Sequence, residues 1–123
     1  MPDDASAVLD IVLACRRLRR FVEDIDERHF QANEEKRWAT VSQLLLIGEA
    51  AKRLSDTFQA AHGQIPWAQI MAMRNRLIHE YDRINWHLVW KTTIEDVPRL
   101  LTVLEGVVSA YEPPPDDEGT VAN

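Results

Sequence analysis

Residues 33–58 read NEEKRWATVSQLLLIGEAAKRLSDTF, and their apolar positions follow helical stripes, not the two-residue alternation of a strand. One stripe is Trp38, Val41, Leu45 and Gly48; the other is Leu44, Ile47, Ala51, Leu54 and Phe58. Together they make much of the circumference apolar. This segment, capped by Asn33, is therefore expected to be the central helix of an all-α protein and to run to about Phe58. Gly48 costs such a helix about 1 kcal/mol relative to alanine, which implies close approach of another helix or side chain there. Glu49, beside it, has two readings. The simpler is a surface pair with Lys52 or Arg53, three and four positions on; the other is that it orients a catalytic arginine from an adjacent helix.

Working outward, Val8, Ile11, Cys15, Leu18, Val22 and Ile25 recur at steps of three and four, giving a first helix with Asp3, Asp4 or Ser6 as its cap. Arg16, Arg17, Arg19 and Arg20 fall between these positions and read as a solvated face. Downstream, His62-Gly63 is a stop signal. Pro66 then opens a third helix reaching to about Tyr81, because its missing N–H is unneeded in a first turn. Asn85 caps a fourth helix, in which Trp90, Ile94, Val97, Leu101, Leu104, Val108 and Tyr111 continue the spacing. Within it the ring of Pro98 clashes with the carbonyl four residues back, which predicts a kink or break near residues 96–98. The sequence thus predicts an up-and-down four-helix bundle over residues 1–111, its last helix bent at Pro98. Its apolar stripes exceed what one small bundle hides, so it is expected to dimerise through the third and fourth helices. From Glu112 the chain reads EPPPDDEGT; these prolines and charges predict a disordered acidic tail over 112–123.

With 123 residues, 46% of them hydrophobic and four of them tryptophan, the chain can build a core without disulfides or a structural metal. Its single cysteine, Cys15, excludes an internal disulfide and a multi-cysteine zinc site, and points to the cytoplasm. The start lacks the basic and apolar stretches of a signal peptide, and the longest aliphatic run, Leu44 to Ile47, is far too short to span a membrane. A net charge of −6 argues against a nucleic-acid partner on average. Local balance differs, since residues 66–91 carry four basic groups against Glu80 and Asp82.

No phosphate-cradling glycine loop, His-Glu-x-x-His, Gly-x-Ser-x-Gly or paired-cysteine pattern occurs. The chemistry must come from isolated polar residues. They are densest in Arg74-Asn75-Arg76-Leu77-Ile78-His79-Glu80-Tyr81. On a regular helix Asn75 and His79 share a face, whereas Arg74 and His79 stand roughly 140° apart and Arg74 stacks with Tyr81. Either the long arginine side chain wraps round, or a symmetric partner supplies a second set. A two-fold axis here would gather two histidines and two arginines at one cleft, the equipment for cleaving RNA without metal. One histidine would take the ribose 2′-OH proton, the other would protonate the leaving 5′ oxygen, and arginine would hold the phosphate. The plainer reading has His79 capping a helix end and Arg74 paired with Glu49.

The octapeptide Arg74 to Tyr81, followed by Val89-Trp90, resembles the HepT-like branch of the HEPN superfamily, toxins of the MntA–HepT type. The block Ile47-Gly48-Glu49-Ala50-Ala51-Lys52-Arg53-Leu54-Ser55 and the segment Ile65-Pro66-Trp67 share that resemblance, which runs from about Val8 to Val108. It implies a small helical dimer acting as a metal-independent ribonuclease through an Arg-x4-His-x-Tyr motif, here Arg74, His79 and Tyr81, with no cofactor. By the same resemblance Asn75 and Glu49 are supporting groups, and the chain is a type VII toxin. Its partner would be an MntA-type nucleotidyltransferase antitoxin that attaches AMP to Tyr81. His29, His62 and His87 match nothing in the family, and Trp38, Trp67, Trp86 and Trp90 read as core or interface. The competing function is a non-catalytic helical dimer that engages a nucleotidyltransferase-like partner or a nucleotide.

Overall fold

The computed structural model describes residues 4–111. The tail expected over 112–123 lies outside them, as does Asp3, one of the caps expected for the first helix. The described residues are helical, with no strand. The helices are α1 (Asp4–Val22), α2 (Glu27–Ala32), α3 (Glu34–Arg53), α4 (Asp56–Ala61), α5 (Trp67–His79), α6 (Trp86–Lys91) and α7 (Val97–Tyr111). A 3-10 turn, Tyr81–Arg83, joins α5 to α6, and a π-helical turn, Thr92–Asp96, joins α6 to α7.

α1 lies between α3 and α7, and α3 carries α5 on its other flank. The core follows from the apolar spacing: Val8, Ile11 and Leu18 of α1 meet Leu44 and Ile47 of α3 and Leu101 and Leu104 of α7, all buried. Burial of each such side chain contributes roughly 1.5–3 kcal/mol. The arginine run of α1 is a solvated face as expected. Arg16 pairs with Glu105 at 3.1 Å, and Arg17 Nη1 donates to Gln43 Oε1 at 3.0 Å.

Several boundaries differ from the sequence expectation. α1 stops at Val22 and Asp24 takes a left-handed φ of 67°, so Ile25 falls in the connection. Asp26 then caps the unanticipated α2, its carboxylate accepting from the His29 N–H at 2.9 Å. α2 exists to bury Phe30, whose ring lies 5.3 Å from Trp90.

α3 ends at Arg53, not at Phe58, because Leu54 turns extended and Ser55 starts α4 as its cap, Oγ accepting from the Phe58 N–H at 3.1 Å. Asp4 of α1 fixes that break: its carboxylate accepts from the Ser55 N–H and the Ser55 hydroxyl, both at 2.8 Å. Phe58 is buried nonetheless, returned to the core beside Trp67 by α4.

α5 ends at His79, which leaves Tyr81 in the 3-10 turn. Pro66 stands just outside the helix as its N-cap residue. Asn85 caps α6 as expected, accepting from the Leu88 N–H at 3.0 Å. Pro98 breaks nothing: the helix is continuous from Trp86 to Tyr111, and the bend expected at the proline takes the form of the π turn just before it. There the Val97 N–H bonds back to the Thr92 carbonyl, five residues away. This wider register moves the carbonyls of the preceding turn out of the position where the proline ring would strike them.

Candidate functional site

The site forms where α5 crosses α3 at Gly48. A Cβ added to Gly48 would stand 2.3 Å from Arg74 Cβ and 2.7 Å from Arg74 Cγ, so only glycine lets the helices approach this closely. Arg74 is therefore rooted on the packed side of α5, in register with Trp67, Ile70 and Met71, which are buried or half-buried. Its guanidinium then turns outward. Nη2 makes an ion pair with Glu49 Oε2, and Nη1 donates to Asn75 Oδ1 at 2.9 Å. Nε is buried with no partner among the described residues. The Arg74 side chain is 21% exposed against 48% for Glu49, so the cation is sheltered while the carboxylate faces solvent.

Of the two readings of Glu49, the surface pair with Lys52 or Arg53 does not form. Arg53 pairs instead with Asp10 of α1 at 2.7 Å, and Glu49 holds the arginine of the neighbouring helix. The bond to Asn75 ties the guanidinium to a residue that on a regular helix shares a face with His79. His79 is exposed at the last position of α5, and its ring bonds to none of the described residues, so it is no helix cap. Tyr81 is 67% exposed, and its phenol is likewise unpaired among them. The structure thus joins Glu49, Arg74 and Asn75 in one network, and leaves the His79 ring and the Tyr81 phenol without a partner among the described residues.

The remaining histidines are otherwise engaged. His29 Nδ1 lies 2.7 Å from Asp26 and His87 Nδ1 lies 2.7 Å from Glu27, tying α6 to α2; the His62 ring packs on Phe58. The His87 ring holds the Glu27 carboxyl below its ordinary range, and the His29 N–H and ring do the same for Asp26. Cys15 is buried, and burial pushes its thiol up to about 12, far from a reactive thiolate. Among the described residues no three His, Cys, Asp or Glu side chains converge as metal ligands.

Sequence reasoning expected more apolar surface than one bundle hides but did not single out the residues that carry it. Leu46 of α3 is 46% exposed and Ile78 of α5 is 41% exposed. The signal was present in Leu44 to Ile47, since four consecutive helical positions span the whole circumference and cannot all face one core. Trp38 packs edge-on against Trp86 at 5.2 Å, with Arg37 over the Trp86 ring, while Trp67 and Trp90 are buried.

Chemically, the arrangement offers a pre-aimed guanidinium, an amide that orients it and an unencumbered imidazole on the same helix face. That set suits binding of a phosphodiester and transfer of a proton to or from it. The Ribonuclease HepT-like family matches residues 11–107 of the chain. A protein of Methanocaldococcus jannaschii, named provisionally as an RNase, is 35% identical over 103 residues, covering 83% of this chain and 94% of its own. One from Thermococcus cleftensis, named provisionally as ribonuclease HepT, is 34% identical over 74% of this chain and 83% of its own. A third, from Caldanaerobacter subterraneus and also named provisionally as an RNase, is 36% identical over 73% of this chain and 80% of its own. No solved structure shows a significant match.

Proposed function

The chain belongs to the HepT-like ribonuclease family, and from that premise we propose that it is a metal-independent endoribonuclease, the toxin of a type VII toxin–antitoxin system. The observation that carries this reading is the Arg74 guanidinium, fixed by Glu49 and by Asn75, which on a regular helix shares a face with the exposed His79. In the proposed reaction Arg74 binds the scissile phosphate and offsets the charge that builds on it. His79 moves the proton of the ribose 2′-OH or of the leaving 5′ oxygen. Glu49 and Asn75 aim the arginine.

One chain supplies one His79, whereas concerted acid and base catalysis uses two. A second copy related by a two-fold axis supplies the other, and the exposed Ile78 of α5 and Ile94 of the π turn favour the pairing through the third and fourth helices expected from the sequence. Tyr81 is the proposed point of control. An MntA-type nucleotidyltransferase antitoxin would transfer AMP from ATP to its reachable phenol oxygen, releasing pyrophosphate. The added phosphodiester charge and nucleoside would then occupy Arg74 and exclude RNA without unfolding the chain.

Inducing the chain is expected to arrest growth, while His79→Ala and Arg74→Ala forms do not. The purified protein is expected to cleave RNA in EDTA and to leave a 2′,3′-cyclic phosphate. Loss of cleavage on chelation, or full toxicity of both variants, overturns the proposal and favours a non-catalytic binding role. With the partner and ATP, intact mass is expected to rise by AMP-sized steps on the Tyr81 peptide. Inhibition without such an adduct would mean direct binding instead.

A further inference from the structure

Between the end of α5, the 3-10 turn and α6 runs an open groove of about 70 Å³. Its floor is apolar, made by Met73, Leu77 and Leu88, and its rim carries Arg76, Glu80 and Arg83. Both arginines are exposed, and neither guanidinium has a partner among the described residues, whereas Arg16, Arg53 and Arg74 are each held by a carboxylate. Glu80 stands four positions after Arg76, the spacing of a helical ion pair, and does not pair with it. Two cations without an ion-pair partner thus border the slot, with the Glu80 carboxylate on the same rim, in a chain whose net charge is −6.

The groove adjoins the candidate site without sharing a lining residue with it. Arg76 precedes His79 by three positions and is its neighbour on the α5 surface, and Tyr81 opens the 3-10 turn that carries Arg83. We propose that this groove is a subsite for the single-stranded RNA flanking the scissile phosphate. Arg76 and Arg83 take successive backbone phosphates, the apolar floor takes the face of one base, and Glu80 accepts from a base amino group. Guanidinium groups bind phosphate oxygens in forked pairs, and a base laid on apolar side chains is held with little regard to sequence. The inference rests on the ribonuclease reading above. An acidic peptide of a protein partner is the other occupant with matching charge, and the adjacency of Arg76 to His79 favours RNA.

The test is binding of a labelled, mixed-sequence single-stranded RNA by the full-length His79→Ala protein, read by fluorescence anisotropy over a range of salt. Adding Arg76→Gln and Arg83→Gln is expected to weaken binding about tenfold or more at low salt. The slope of log affinity against log salt should fall by about 1.4, some 0.7 for each lost contact to a single strand. Removing the same charge at Arg19 and Arg20, on α1, is expected to leave affinity within about twofold. An equal loss from that control pair reduces the effect to net charge and overturns the subsite. If His79→Ala binds RNA and the Arg76/Arg83 variant binds it as tightly with the same slope, the subsite alone falls, and the groove is left to a protein partner. If His79→Ala binds no RNA at all, the ribonuclease reading fails first, and the subsite with it.

Discussion

Gly48 and Arg74 meet where a side chain in place of the glycine would not fit, since its Cβ would stand 2.3 Å from Arg74 Cβ. The glycine that weakens α3 is thus what brings a long cation from α5 to Glu49. Gly48→Ala gains about 1 kcal/mol of helix propensity but must push α5 away, and overpacking of this kind costs about 1–3 kcal/mol. A net loss of stability in urea is expected, together with loss of RNA cleavage. Because the clash is with Arg74 Cβ, the double variant Gly48→Ala, Arg74→Gly is expected to show favourable coupling of about 1 kcal/mol or more in a double-mutant cycle. Simple additivity would show that the two positions do not constrain each other.

Glu49→Gln separates aim from stability. The pair is half open to solvent on the carboxylate side, so its loss is expected to lower stability by less than about 1 kcal/mol. Cleavage is expected to fall about tenfold, because an unaimed guanidinium no longer meets the phosphate in one geometry. Denaturation and cleavage assays on the same preparation check this, and an equal fall in both would make Glu49 merely structural.

Cys15 is expected to resist thiol reagents at pH 8 in the folded protein and to react at once in denaturant, because burial pushes its thiol up to about 12. Rapid stoichiometric labelling of the native chain would contradict the packing of α1.

Acid is expected to loosen α2 first. Glu27 and Asp26 have folded pKa values below their ordinary 4.5 and 3.8, so each contributes stability that is present above those values and is lost as pH falls through the lowered folded ones. Melting temperature measured against pH should show the gap between wild type and Glu27→Gln closing as pH falls below 4.5. A gap that persists to lower pH would assign the stabilisation to something other than the ionised carboxylate.

Thr40 is fully buried in α3, and its hydroxyl has no partner among the described residues. Thr40→Val is expected to raise stability by about 1 kcal/mol, read from the urea midpoint, because it removes an unsatisfied polar atom.

Local signals carried much of this architecture. The three-and-four spacing of apolar residues specifies the helices because it depends only on 3.6 residues per turn. Asn33 and Asn85 cap their helices through bonds to residues three positions on, and a mid-helix glycine announces a close neighbour without naming it. The density of Arg74, Asn75, His79 and Tyr81 was equally legible, because one short stretch holds them all.

What the tertiary structure decided were the choices among partners far apart in the chain. Glu49 had cations three and four residues away and took Arg74 instead, because Gly48 brings α5 within reach. Ser55 ended α3 because Asp4, at the far end of the sequence, accepts its N–H and hydroxyl. The outward placement of Leu46 is set by which helices flank α3. Helical periodicity is a property of neighbouring residues and can be read from them. Which face meets which, and which cation a carboxylate finds, depends on how whole helices pack, a choice made only once they share one core.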